Sequence, residues 1–533
     1  MSTRERPVLP LGMRGLLAVL GLLAMTAVVL GGQPPAERAD TSPVRWPIAD
    51  VHALPDTLRR LGPVIAWVGA VVLVLAWLIV LRWAMQGLLS SRSIAWLAGI
   101  WAVPLALGPP VLSADVYSYL AQGELLRRGL DPYRVGVSAL GSAPIVAAVD
   151  ERWRAVPSPY GPLGLAASRL AAEVGSGSIV AGVVLLRVVA VAGVVLALYC
   201  CVRLTAEPRR PIVLAVVALN PIVLLHLIGG AHLDALMVGL VVAGLLLAAR
   251  GRPYAGLVVV TAAASVKAPA LIAVAVLLVC AVLPTGRAAR LEAVGRAVGV
   301  TALTALACAA LVPDGVGWLR ALSTPGRGRT ESAPTSLLAG LLSRLFGLPP
   351  AGTLTACRLL GLGIAGAIVA ALLATARRRD PMVTAGLGQL AAAVLGPVTY
   401  VWYLAGPIAC CAPRSRGRGR AALVALSAAA SLTSLPSLST PAFPWPPAAT
   451  ASISGNSRQA AIPGTAMPES LSSPPRIVAT PAANRPSTNP GTAATARRCG
   501  RQPPRAIATA RVTAIGSSRL KGLVTTEWAA DSR

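Results

Sequence analysis

Residues 254–283 read YAGLVVVTAAASVKAPALIAVAVLLVCAVL. A helix crosses the hydrocarbon core with about 20 apolar residues, so this stretch is long enough for one crossing. Arginine flanks it on both sides, at Arg252 and Arg287. Basic residues in short loops mark the cytoplasmic face, so both ends belong on the same side and one helix cannot join them. Near the middle, Pro269 lacks a backbone N–H and Lys267 is costly in lipid. The stretch therefore reads as two helices, 254–264 and 269–283, meeting near the outer surface with Lys267 at the junction. Broken helices of this kind line cavities rather than face lipid.

The rest of the chain repeats that pattern. Its 533 residues are 55% hydrophobic with a mean hydropathy of +0.68, yet they carry a formal net charge of +28. Charged residues make up 13%, against about 25% in an ordinary soluble domain. A soluble domain, a disordered chain and a soluble nucleic-acid-binding protein are all excluded. Apolar runs cover about 15–32, 63–81, 94–112, 178–202, 212–230, 233–249, 254–264, 269–283, 297–312, 354–376, 381–398, 400–413 and 421–437. The first is read as a retained span rather than a cleaved signal peptide. With the N-terminus inside, Arg82, Arg92, Arg203, Arg209, Arg210, Arg250, Arg252, Arg287, Arg290, Arg296, Arg377–Arg379 and Arg414–Arg420 share the inner side. The fold expected is an all-α polytopic membrane protein of about 12–13 transmembrane helices. It is a multi-pass protein of the plasma membrane with large outer loops at 113–177 and 313–353.

This membrane domain is expected over 1–440. From 441 to 533 the chain turns rich in Pro, Ser and Arg. Two readings fit that composition: a disordered basic tail, or translation out of frame beginning between about 413 and 440. The eight cysteines show no CxxC or metal spacing, and those inside apolar runs read as small core residues.

Chemistry-bearing residues cluster on the expected outer side. SADVYSYLAQGELLRRGLDPY (113–133) follows a span directly, and PSPYGPLG (157–164) lies in the same loop. A carboxylate at a helix end beside the bilayer is partly desolvated. That raises its pKa and suits Asp115 to act as a base. Tyr117, Tyr119, Tyr133 and Tyr160 offer stacking surfaces for sugar rings. Residues 117–128 have the mixed spacing of a helix lying along the interface, Glu124 reads as a paired helix residue, and Asp131 starts an Asp-Pro-Tyr turn.

In LNPIVLLHLIGGAHLDALMVGL (219–240), Gly229-Gly230 separates His226 from His232. Asp234 begins the next span as a candidate cap. His232 can donate to a phosphate, with Asp234 orienting it. Lys267 is the lone lysine of the spans, since all other Lys+Arg residues but Lys521 are arginine. A phosphate group is its natural partner. Two histidines without further ligands make no zinc site. No metal or other cofactor is called for, and a divalent ion is left open. GWLRALSTPG (317–326), with Arg327 and Arg329 after it, and LGPVTYVWYL (395–404), holding Trp402, complete the set.

Together these segments resemble the polyprenol-phosphate-mannose-dependent alpha-(1→6)-mannosyltransferases of mycobacteria and corynebacteria, which are GT-C-type membrane glycosyltransferases. The chain departs from the family pattern after Gly396-Pro397-Val398, where Tyr400-Val401-Trp402-Tyr403 stands, and again beyond about 437. The resemblance implies an inverting transfer of mannose at the outer face. The donor is polyprenyl-phosphate-mannose and the acceptor a mannan glycolipid of lipomannan and lipoarabinomannan. Asp115 would be the base, and His232, Lys267 and Arg327 would hold the donor phosphate. Tyr117, Tyr119, Tyr133, Tyr160, His226, Asp234 and Trp402 would line the substrate site. No Gly-rich phosphate loop ending in Lys-Ser/Thr occurs, in keeping with a lipid-linked donor. A transporter or flippase of lipid-linked sugars is the alternative from another class, although no internal repeat is visible. An inactive relative is a third reading, prompted by the C-terminal composition.

Overall fold

The computed structural model describes residues 10–433, apart from 35–36, 38–41, 283–285, 287 and 323–332. Secondary structure among the described residues is helical throughout. The tail over 441–533 lies outside them. The principal helices are α1 (Leu11–Gly31), α2 (Asp56–Met85), α3 (Ser91–Leu107), α4 (Asp115–Arg127), α5 (Pro162–Gly175) and α6 (Ile179–Arg203). Then come α7 (Arg210–Ala218), α8 (Asp234–Ala249), α9 (Pro253–Ala264), α10 (Leu271–Val282) and α11 (Arg290–Ala309). The last are α12 (Pro334–Phe346), α13 (Pro350–Ala374), α14 (Pro381–Leu395), α15 (Ala405–Cys411) and α16 (Gly417–Thr433).

The protein is an all-α polytopic membrane protein. Among the described residues, five helices are long and apolar enough to cross a bilayer: α1, α2, α6, α11 and α13. A sixth crossing arises if α7 and the π-helical turn Val223–Gly229, bent by 57°, count as one span. Other apolar runs form shorter helices of 10–17 residues, including α3, α8, α9 and α14. Full-length crossings are thus fewer than the apolar runs suggest, because proline, glycine and polar breaks divide several of the runs.

Local chemistry sets the helix ends. Proline opens α5, α9, α12, α13 and α14, where its missing N–H costs nothing. Ser90, Ser178 and Asp380 cap α3, α6 and α14 through their side-chain oxygens. Without a hydrophobic effect between helices in lipid, close packing relies on small residues. Gly239 of α8 lies on the Gly193 carbonyl of α6, leaving no room for a methyl group, and Gly244 of α8 packs likewise on Gly256 of α9.

The 254–283 stretch is broken as its sequence suggests. The first half, α9, stops at Ala264, Lys267 is extended (φ −158°, ψ 140°), a 3-10 turn spans Ala268–Ala270, and α10 follows. A break inside a membrane frees carbonyls that cost several kcal/mol each if unsatisfied, to order of magnitude. Here the start of α5 takes them up. Gly161 N–H donates to Val266 O at 3.0 Å, and Leu163 N–H donates to Ser265 O at 2.8 Å. A methyl group on Gly161 would collide with the Ser265 carbonyl. The PSPYGPLG loop and the SVKAPAL break are therefore two halves of one joint.

The helix expected to lie along the interface is instead packed inside. Residues Val116 to Gly123 of α4 are buried against α5 and α6, with Gly123 pressed on the Ser168 carbonyl. Glu124 near its end pairs with Arg127 at 2.6 Å and Arg128 at 2.7 Å, the paired role its spacing suggests.

Candidate active site

A cavity of about 320 Å³ opens at the joint. Its polar and aromatic lining includes Asp115, Tyr119 and Gln122 of α4, Tyr160 of the loop, Lys267, Tyr400 and Tyr403. Its apolar lining includes Met237, Ile272, Ala392, Ala393 and Val398.

Asp115 is the first residue of α4, its side chain about 20% exposed. Its backbone N–H donates to Ser113 Oγ at 3.2 Å. Burial pushes the carboxyl up to about 6. The Lys267 ammonium opposes that rise, and the Asp234 and Asp150 carboxylates add to it. A carboxylate tuned to that value is ionised at neutral pH and still basic enough to take a proton.

Lys267 lies in a tight cage. Its Nζ donates to Asp234 Oδ2 at 2.7 Å and sits 4.5 Å from the Tyr403 ring centroid and 5.3 Å from that of Tyr160. Asp234 does not act as a helix cap: it sits within the first turn of α8, makes no capping hydrogen bond and turns to Lys267 instead of His232. This leaves a desolvated cation facing the cavity, held by one carboxylate and two aromatic faces.

The two histidines are buried and do not line the cavity. His232 is fully buried, its ring stacked 4.0 Å from Trp402, and Trp402 in turn stacks 4.5 Å from Tyr400. His226 lies 5.6 Å from Trp402 on the same covered side. Neither histidine nor Trp402 is among the residues lining the cavity. His232 instead lies next to Asp115. Its Nδ1 is 3.0 Å from Tyr119 Oη and 3.7 Å from Asp115 Oδ2, and Tyr160 Oη donates to Tyr119 Oη at 3.2 Å.

Of the residues singled out in the sequence, Asp115, Tyr119, Tyr160, Asp234 and Lys267 converge on the cavity. Tyr117 is buried in the core away from it. Tyr133 supports the site from outside, its Oη donating to Tyr160 O at 3.1 Å, within the Asp-Pro-Tyr turn where Asp131 Oδ1 accepts from Tyr133 N–H. Arg327 lies outside the described residues. The cavity also holds Gln122, Gln389, Tyr400 and Tyr403, which the sequence reading did not place there. The tyrosines sat in a recognisable aromatic segment, but the glutamines carried no signal. Among the described residues, no three His, Cys, Asp or Glu side chains gather as a metal site.

With this geometry in place, comparison with known proteins decides the family. The alpha-(1→6)-mannopyranosyltransferase N-terminal domain matches residues 18–283, and the MptB C-terminal domain matches 332–457. Alpha-(1→6)-mannopyranosyltransferase A of Mycobacterium tuberculosis is 33% identical over 381 residues, covering 68% of this chain and 73% of the relative.

The chain belongs to the alpha-(1→6)-mannopyranosyltransferase family.

Two Corynebacterium glutamicum members are also similar. Alpha-(1→6)-mannopyranosyltransferase A is 39% identical over 32% of this chain and 35% of its own. Alpha-(1→6)-mannopyranosyltransferase B is 29% identical over 57% of this chain and 56% of its own. No solved structure matches the chain. Membership of this family makes the protein a hexosyltransferase, a multi-pass enzyme of the plasma membrane, and sets aside the transporter reading. Every cavity residue from Asp115 to Ile272 lies within the matched N-terminal domain, and Gln389 to Gly406 lie within the matched C-terminal one.

Proposed function

We propose that this hexosyltransferase moves mannose from polyprenyl-phosphate-mannose to the 6-hydroxyl of an alpha-(1→6)-mannan chain of lipomannan or lipoarabinomannan, at the outer face of the membrane. The observation that carries the proposal is one cavity whose lining combines a carboxylate and a caged ammonium with an extensive hydrocarbon-like surface. A lipid-linked sugar has that same division. The names of the relatives support the sugar and the linkage.

In this mechanism Asp115 takes the proton from the acceptor hydroxyl. The acceptor oxygen bonds to the anomeric carbon as the carbon–oxygen bond to phosphate breaks, and polyprenyl phosphate leaves with the electron pair. Attack from the face opposite the leaving group inverts the anomeric centre. The Lys267 ammonium offsets charge growing on the departing phosphate, the kind of preorganised electrostatic help that is most effective away from water. His232, hydrogen-bonded to Tyr119 and 3.7 Å from Asp115 Oδ2, lies next to the base.

The test uses membranes containing the protein, labelled polyprenyl-phosphate-mannose and a short alpha-(1→6)-mannoside. Wild type elongates the mannoside, and Asp115→Asn loses about 10²–10⁴-fold in rate, the usual worth of a positioned base. Equal product from both proteins would remove Asp115 as the base. No product from wild type would support an inactive relative.

A further inference from the structure

Gln389 is the most unusual residue in the cavity. It lies in α14 between Leu387-Gly388 and Leu390, in a helix whose other polar side chain, Thr384, is satisfied by Asp380 O, and is only 3% exposed. Neither its Oε1 nor its Nε2 has a hydrogen-bond partner within the described protein. Its amide nevertheless lines the cavity, and so does Gly406 of α15 beside it. A methyl group on Gly406 would come within 2.5 Å of Gln389 Oε1. The absence of a side chain at 406 is what leaves the amide its room. Asp234 contributes a second open position: Oδ2 is held by Lys267, but Oδ1, also buried and also on this cavity, has no hydrogen-bond partner.

Buried amides are hydrogen-bonded in nearly every folded protein, so a bare one aimed into a cavity points to a ligand. The chemistry of the amide selects among the parts of a lipid-linked sugar. The carbonyl only accepts and the NH₂ only donates. An isoprenoid chain would satisfy neither end. A phosphate only accepts, so it would leave Oε1 bare. Neighbouring hydroxyls on a pyranose ring each donate and accept. They can satisfy both ends of the amide, and a hydroxyl can also donate to Asp234 Oδ1.

We propose that Gln389, given room by Gly406, is a specificity-determining residue that hydrogen-bonds ring hydroxyls of the donor sugar. The proposal rests on the lipid-linked sugar donor argued above. It adds which group reads the sugar, and that group comes from the C-terminal part of the chain.

The experiment measures kcat/KM for wild type, Gln389→Leu, Gln389→Glu and Gly406→Ala. Donors are polyprenyl-phosphate-mannose and each of its singly deoxygenated analogues. Wild type should lose about tenfold or more on one or two analogues. Gln389→Leu, close in shape but unable to hydrogen-bond, should lose about as much on the parent donor. It should lose nothing further on those same analogues, while discriminating normally among the rest. Gln389→Glu keeps an acceptor, so one of the two losses should persist and the other disappear. Gly406→Ala should copy Gln389→Leu. Uniform losses across all donors, or wild-type discrimination retained by Gln389→Leu, would overturn the proposal and leave the donor reading intact. A wild type that uses none of these donors would overturn the donor reading and this inference with it.

Discussion

Two interruptions among the described spans of this protein end differently. At 265–270 the freed carbonyls of Ser265 and Val266 are taken up by backbone N–H groups of another segment. No side chain is used for the repair, and Lys267 is free to face the cavity. At 219–233 the repair is made largely by side chains. Asn220 Oδ1 accepts from Ile222 N–H, and Asn220 Nδ2 donates to Val216 O and Ser427 Oγ. Arg187, 2% exposed in the middle of α6, donates to Ala106 O, Gly108 O and Gly229 O. There the ionisable residues, His226 and His232, stay sealed behind Trp402. A broken span carrying an ionisable residue is therefore not yet a site. What repairs the backbone decides which side chains remain available.

The largest expected effect breaks the first interruption at its charge. Lys267→Met leaves Asp234 buried without its cation. It should cost about 3–5 kcal/mol, read as a lowered unfolding midpoint in detergent, and should abolish transfer. Adding Asp234→Leu should restore most of the stability but no activity. If the double variant also recovers transfer, Lys267 takes no part in the chemistry.

The second interruption should fail next. Arg187→Met strands the Ala106 and Gly108 carbonyls, takes one of two donors from Gly229 O, and should cost about 3 kcal/mol. Unlike Lys267→Met, it should leave donor affinity unchanged in the fraction that stays folded. A rise in donor KM would show that the two interruptions are not independent.

Gly161→Ala presses on the Ser265 carbonyl and should cost about 1–3 kcal/mol, as overpacking usually does. Its distinguishing mark is a fall in activity larger than that of Arg187→Met at equal stability, because the strain falls on the joint itself.

The smallest effect is one of pH. The Asp115 carboxyl sits near 6, so kcat/KM should rise with pH and level off above that value. The Asp234 carboxylate is one of the charges raising it and the Lys267 ammonium lowers it. Asp234→Asn removes the first and exposes the second, and should shift the acid limb below 6 by up to about one unit. An unmoved limb would mean that Asp115 does not feel the first interruption.

These contrasts mark what could be read from the sequence. The break at Lys267 was legible because three local signals coincide: flanking arginines, Pro269 and a lone lysine. Asp115 was legible because its place at the edge of a span already implies desolvation. The burial of His226 and His232 was not, since it depends on Trp402 arriving from far along the chain. The pairing of Lys267 with Asp234 links two helices and carries no periodic signature. Gln389 was hidden for another reason. A single uncharged polar residue barely disturbs the hydropathy of its helix, and its meaning comes from the glycine facing it in α15.

The joint between residues 161–164 and 265–266 also has a consequence for biogenesis. The loop half emerges from the ribosome roughly a hundred residues before the half that it binds, an interval on the order of ten seconds at typical rates of synthesis. During that time the loop carrying Tyr160 cannot adopt its final position, however well α4 and α5 have formed. The chamber cannot form before the later hairpin has been inserted, and residues 389–406 complete it later still, so a chain stopped before residue 265 would be embedded in the bilayer yet have no finished binding site.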